Sequence, residues 1–420
     1  MKPTLTAALL GATLLASPAI ALDQAEVVKT YADLAAAGYG DSLTTAQALH
    51  GAVDALIATP SEATLTAARE AWKAARVPYQ QTEVFRFGNP IVDDWEGRVN
   101  SWPLDEGLID YVDSGAYGGP SEENPLSTLN VIATPKFSIG ATEVDATTIT
   151  PDTIRTLHEA DGIEANVASG YHAIEFMLWG QDLNGTGPGA GARPYTDYIQ
   201  GEGCTGGNCD RRAAYLKSAT DLLVTDLQEM AANWAEGGAA RAAVTADPAK
   251  GVQAMLTGMG SLSYGEQAGE RMKLGLMLND PEEEHDCFSD NTQNSHYYDG
   301  LGIRNVYLGS YARPDGSVVS GPSLSQLVAS VAPEVDAQLK SELDDSVAKL
   351  AALKARADGG MAYDQMLAPG NAEGEALIMG AVNALVTQTA SIQRAVTALN
   401  GAEIEFEGSD SLDNPDAVFQ

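Results

Sequence analysis

Residues Gly170-Tyr171-His172-Ala173-Ile174-Glu175 place an imidazole and a carboxylate three positions apart in a stretch that reads as helix. On a helix this spacing puts both side chains on one face, β-carbons about 5–6 Å apart, so one metal ion could sit between them. The competing use is a histidine at a packing face, hydrogen-bonded to Glu175. Trp72, Arg76, Tyr79, Glu83 and Arg86 follow one another at intervals of four, three, four and three, a stripe of large polar and aromatic groups on an Ala-rich helix. Such a stripe lines a site or forms an ion-pair network between helices. Ser263, Glu266 and Glu270 repeat the pattern on a third segment. If the three faces converge, Glu83, His172, Glu175 and Glu266 crowd like charges that only protons or a cation could offset. The expected ligands are therefore His172, Glu175, Glu83 and Glu266, with Trp72, Arg76 and Tyr79 lining the bound group. This oxygen-rich set suits iron or manganese, and leaves zinc and calcium open.

Several chemistries are excluded by pattern. His158-Glu159 is followed at position 162 by Gly, so the two-histidine zinc-protease helix is absent. Phe176 after Glu175 breaks the inverted version. There is no Gly-x-Ser-x-Gly elbow, and Cys-x-x-Cys-His is missing, so covalent c-type haem is excluded. If the chain were nonetheless a metallopeptidase cleaving unfolded peptides, Glu175 is the residue placed to activate a metal-bound water.

These side chains need long helices to position them. Ala-rich periodic segments run over 23–37, 42–58, 61–87, 151–179, 209–235, 248–279, 323–357 and 371–399. The fold class expected is all-α, two helical-bundle halves forming a cleft and dividing near 180–208. Pro78 should kink its helix. The intervals 88–150, 180–208 and 280–322 are long enough to be functional or to carry small elements. Within the last, Pro314-Asp315-Gly316 predicts a short hairpin over 311–319. The acidic run Glu282 to Asn291, with His296 and Asp299 after it, reads first as a solvated turn, although Phe288, Tyr297 and Tyr298 argue that part is packed down. The tail 401–420 is acidic and should fray.

Met1, Lys2, the apolar run Leu5 to Ala16 and the small-x-small site at Ala19-Ile20-Ala21 form a secretory signal peptide spanning 1–21. No stretch reaches the roughly 20 apolar residues of a transmembrane helix. Secretion in a bacterium implies the periplasm or beyond, an oxidising setting in which Cys204 and Cys209 could close a small disulfide and leave Cys287 unpaired. A net charge of −34 repels nucleic acid and anionic lipid, and leaves cations and basic ligands as natural partners.

At the level of motifs the chain resembles the imelysin family of secreted bacterial proteins, known both as iron-regulated proteins and as an insulin-cleaving peptidase family. Gly170, His172 and Glu175 match its Gly-x-His-x-x-Glu motif; residues 71–83, Trp102-Pro103-Leu104-Asp105 and Glu284 to Asn291 match further stretches. The resemblance spans about residues 40–400. It implies a helical domain over 22–400 with the motif lining a cleft between two halves, and His172 and Glu175 as metal ligands. It also implies a periplasmic or outer-membrane-associated role in acquiring iron, haem or another iron chelate, with an outer-membrane receptor or uptake partner. A non-metal protein binding a peptide or receptor in that cleft is the remaining alternative. Gln293 stands where relatives are expected to carry His, which weakens the acidic loop's contribution.

Overall fold

The computed structural model describes residues 23–118 and 124–419. The expected signal peptide lies outside the described residues. Helix α1 (Gln24–Ala58) is capped by Asp23 and runs unbroken through Gly38 and Gly40, where two helices were expected. Gly38 instead permits close packing, since a β-carbon there would lie 2.8 Å from Thr82 Cγ2. Helix α2 (Glu62–Gln80) opens with a Ser61/Thr64 capping box. It ends two residues after Pro78, which lacks the amide that would continue the ladder, so Glu83 lies on a separate 3-10 turn, Glu83–Phe85. The expected helix over 61–87 thus loses its last turns, and Glu83 and Arg86 leave the stripe.

Interval 88–150 holds α3 (Pro90–Asn100), α4 (Glu106–Ile109), α5 (Ser114–Tyr117) and an antiparallel hairpin of β1 (Lys136–Ile139) with β2 (Thr142–Asp145). The helix expected over 151–179 is two: α6 (Pro151–Leu157) and α7 (Gly170–Trp179). Between them Glu159, Asp161 and Gly162 adopt positive φ, which no helix accommodates. Cys204 and Cys209 form a disulfide ahead of α8 (Cys209–Trp234), and Cys287 is free. After α9 (Ala239–Thr245), α10 (Pro248–Ser261) passes through wide π turns over Leu262–Leu274 into α11 (Gly275–Leu278).

Helix α12 (Thr292–Leu308) occupies a stretch expected to be loop; its sequence is rich in Tyr, Asn and Gly and has little apolar periodicity. The hairpin expected over 311–319 is present as β3 (Ser310–Ala312) and β4 (Val318–Ser320). The last elements are α13 (Leu324–Val331), α14 (Pro333–Asp358), α15 (Tyr363–Leu367), α16 (Ala372–Ala398) and α17 (Asp410–Asp413). The described residues are mostly α-helical, with two small antiparallel sheets.

Helix α1 packs on α2 and α8, and α14 packs on α12 and α16. One large apolar core draws on residues from both sides of 180–208, including Trp72, Trp95 and Trp234. A smaller core gathers Met272, Leu350, Tyr363, Met366 and Leu385. The expected frayed tail is docked: Ile404, Ser409 and Ser411 are buried, and Ser411 Oγ donates to Gly269 O at 3.0 Å. Gly260 and Gly269 open the groove it occupies, since a β-carbon on either would lie under 2.5 Å from Phe406 or Ser409. Among the described residues no helix is long and apolar enough to cross a membrane.

Candidate metal centre

The motif's glycine is explained first. Gly170 starts α7 at φ +85°, and a β-carbon there would meet the Val99 carbonyl oxygen at 2.4 Å. Only glycine lets α7 begin against the last turn of α3. Ser169 Oγ adds a hydrogen bond to Arg98 O at 2.8 Å. The helix so anchored is buried along its whole length, and His172 and Glu175 are 1% and 0% exposed.

His172 Nδ1 lies 3.2 Å from Glu175 Oε2 and 3.9 Å from Asp286 Oδ1. The His285 ring packs 4.8 Å from the His172 ring, centroid to centroid. One donor atom each from His172, His285 and Asp286 fall within 4.8 Å of one another, close enough to bind one ion. Glu175 Oε1 is fixed by Ser289, which donates from its amide at 3.0 Å and its hydroxyl at 2.6 Å. Asp286 Oδ2 accepts from Asn291 Nδ2 at 2.7 Å and from the Ser295 hydroxyl.

Electrostatics keep both imidazoles neutral. Burial and the nearby Arg76 charge depress His172 to about 3. Burial, with Arg271 and other nearby positive groups, holds His285 well below its ordinary value. Neutral imidazole is the ligand form, and His172 Nε2 and both ring nitrogens of His285 have no hydrogen-bond partner. Burial and the Asp286 charge raise Glu175 well above the carboxylate range, whereas at Asp286 burial, the largest single effect, is outweighed by Arg76, His172 and the hydrogen bonds from Ser295 and Asn291 together, which hold it low. Two imidazoles with one or two carboxylates fit iron, manganese or zinc better than calcium or magnesium.

The other expected site residues are grouped differently. Arg76 spans Asp286 Oδ1 at 2.8 Å and Asn100 Oδ1 at 2.6 Å, so protein groups occupy the guanidinium that was expected to line the bound group. Its flat face lies 5.0 Å from the Tyr171 ring and 5.6 Å from that of Trp72. Trp72 donates to Tyr171 O at 2.9 Å, and Tyr79 packs 4.8 Å from Tyr171. These three therefore brace α7 from behind. Glu83 accepts from Arg271 Nη2 at 2.8 Å and Asn100 Nδ2 at 3.3 Å, while Glu266 sits 2.7 Å from Arg271 and 3.6 Å from Arg86. Asp299 closes that second network at 3.1 Å. Arginines thus compensate the carboxylates that were expected to demand a cation. Beside the motif, the imidazole nitrogens His172 Nε2 and both of His285 are left without a partner.

The segment from Glu284 to Asn291 is buried or half-buried rather than a solvated turn, and it supplies His285, Asp286 and Ser289. Sequence reasoning left these three out of the ligand set, although two of the chain's five histidines, His285 and His296, fall in or near this stretch, as does Phe288. Gln293 is buried and donates to Asp290 O at 2.8 Å. A surface cleft of about 330 Å³ lies outside this segment, lined by Trp102, Asp105, Glu106, Asp182, Glu282 and Cys287 among others. His172 and Glu175 do not line it as expected. Trp102 stands between, its ring 5.6 Å from that of His285 and its Nε1 donating to Glu284 O at 2.6 Å.

The family model for imelysin, a peptidase family by its label, matches residues 35–392. The chain belongs to the imelysin family. Iron-regulated protein A of Synechococcus elongatus is 44% identical over 46 residues, a match covering 11% of this chain and 13% of that protein. Among solved imelysin-type structures, one assigned as an iron-regulated protein A precursor from Parabacteroides distasonis superposes with a TM-score of 0.64 at 20% identity, covering 90% of this chain and 95% of that one. An imelysin-like protein from Psychrobacter arcticum gives 0.57 at 16% identity, over 91% and 98%. At these identities the two structures establish the fold.

Proposed function

We propose that this imelysin protein binds a divalent transition metal, ferrous iron foremost, through His172, His285 and Asp286 with Glu175 as fourth ligand, and serves iron acquisition outside the cytoplasm. The observation that carries the reading is the convergence of two neutral, buried imidazoles whose outward nitrogens have no partner in the protein. An unpaired buried donor costs about 1–3 kcal/mol, and a metal satisfies several at once. The iron-regulated name of a sequence relative supports the choice of iron. The leader-like start of the chain supports a periplasmic setting. Donors almost wholly out of solvent favour a bare ion over haem. Glu83 and Glu266 act on Arg271 and position the site from a distance rather than touching the ion.

Anaerobic calorimetric titration of chelator-treated protein with ferrous iron, manganese and zinc tests this. His285→Ala and His172→Ala should each weaken binding at least tenfold, as removal of one of four ligands does. Wild-type affinity in both folded variants would sink the assignment. Chelator-sensitive cleavage of an unfolded peptide, lost in Glu175→Gln, would replace a binding role with a peptidase one.

A further inference from the structure

A second group of carboxylates lies beside the first site without sharing its ligands. Asp182 follows α7, Asp290 ends the buried loop, and Asp364 opens α15. One oxygen from each falls within 4.8 Å of the others. Asp182 Oδ1 accepts from Asn184 at 2.7–2.8 Å, so that carboxylate is held in place by its own turn. Asp290 takes a left-handed backbone, φ 52°, and its Oδ1 has no partner.

What distinguishes this group from an ordinary acidic patch is what is buried behind it. Asp364 is 2% exposed, and its oxygens make no well-formed hydrogen bond, with only backbone amides of its own turn, at Asp364 and Gln365, close to them. Glu284 is equally buried with Oε2 unpartnered, and the charges it faces are Asp364, Asp290 and Asp182. The Tyr363 hydroxyl beside them is also unpartnered. Glu284 thus faces the three aspartates, and Lys73 is the cation that bears on Asp290. Burial and mutual repulsion push Asp364 to about 7 and Asp290 to about 6. Unlike the acids around Arg76 and Arg271, these have no buried arginine between them.

We infer that Asp182, Asp290 and Asp364 form a second cation site, all-oxygen and suited to calcium, with Glu284 as the buried carboxylate that completes it. Calcium accepts irregular sets of oxygens at roughly 2.3–2.6 Å, whereas magnesium demands near-ideal octahedral geometry and keeps several waters, so carboxylates from separate segments suit calcium better. The absence of imidazole from the set separates it chemically from the His172 site, which prefers softer metals. Its ligands come from three separate segments, so calcium would pin the Glu284–Asn291 loop between α7 and α15. The same loop carries His285 and Asp286, and calcium bound here would steady the transition-metal site.

Calorimetric and thermal-melt titrations of the full mature chain with calcium alone test the inference. Wild type should bind one calcium and melt higher with it. His172→Ala/His285→Ala should keep that response, so the two sites fail separately. Asp364→Asn should weaken calcium at least tenfold while melting no lower than wild type in chelator, because it removes a like charge. Should Asp364→Asn misfold, the half-exposed Asp182→Asn gives the same reading. No calcium-dependent heat or melting shift in wild type, or an undiminished response in folded Asp364→Asn and Asp182→Asn, would overturn it.

Discussion

Replacing Gly170 by Ala tests whether the first residue of the Gly-x-His-x-x-Glu motif is structural. Two costs arise. A left-handed backbone at φ +85° carries about 1–2 kcal/mol for any residue with a β-carbon. The new methyl would also lie 2.4 Å from Val99 O and 2.5 Å from its carbon, so α3 and α7 must part by roughly 1 Å to reach ordinary contact. Overpacking of that kind adds about 1–3 kcal/mol, for a total of about 2–5. Gly162→Ala is the internal control: its φ is +72°, but a β-carbon there meets nothing within 4 Å, so only the backbone cost of about 1–2 kcal/mol applies. Urea unfolding followed by far-ultraviolet circular dichroism, compared at equal slope, gives both values. The separation of α3 from α7 also moves Asn100, which holds Arg76, and should therefore weaken metal binding in Gly170→Ala alone. Equal destabilisation of the two variants would refute the close-approach argument.

Arg76→Met strips Asp286 of its buried partner and should destabilise the metal-free protein by about 3–5 kcal/mol, with part of the loss recovered by saturating manganese; a variant as stable as wild type in chelator would count against the pairing. Because burial keeps the two imidazoles neutral and raises Glu175, metal binding should release more proton from wild type than from Glu175→Gln, seen as a buffer-dependent heat that shrinks in the variant. His296 is depressed to about 3, so the folded ring stays neutral while the unfolded one gains a proton below its ordinary 6.5. Its contribution is therefore intact above pH 6.5 and lost as pH falls, by about 2 kcal/mol at pH 5. Unfolding curves of wild type and His296→Gln should converge or cross by that amount between pH 8 and pH 5, and parallel behaviour would contradict the burial effect.

The local code of the chain determined its helical class, the starts of most of the long segments expected to be helical, the 311–319 hairpin and the His172–Glu175 pair, because caps, turn residues and a three-residue helical spacing act over one or two turns. It did not determine where helices stop when the reason is tertiary. The run 151–179 breaks at residues held in positive φ, and the tail that composition marked as frayed docks into a groove made by Gly260 and Gly269. Nor did it decide the ligand set. Glu83 and Glu266 shared a plausible face with the motif, yet Arg271, on the same segment as Glu266, reaches Glu83 across the core and pairs with both. His285 and Asp286 sit more than a hundred residues from His172 in an acidic run that would be solvated by itself. Only packing against Trp102, α7 and α12 takes that run out of water, and desolvation is what fits its imidazole and carboxylate to the proposed metal site.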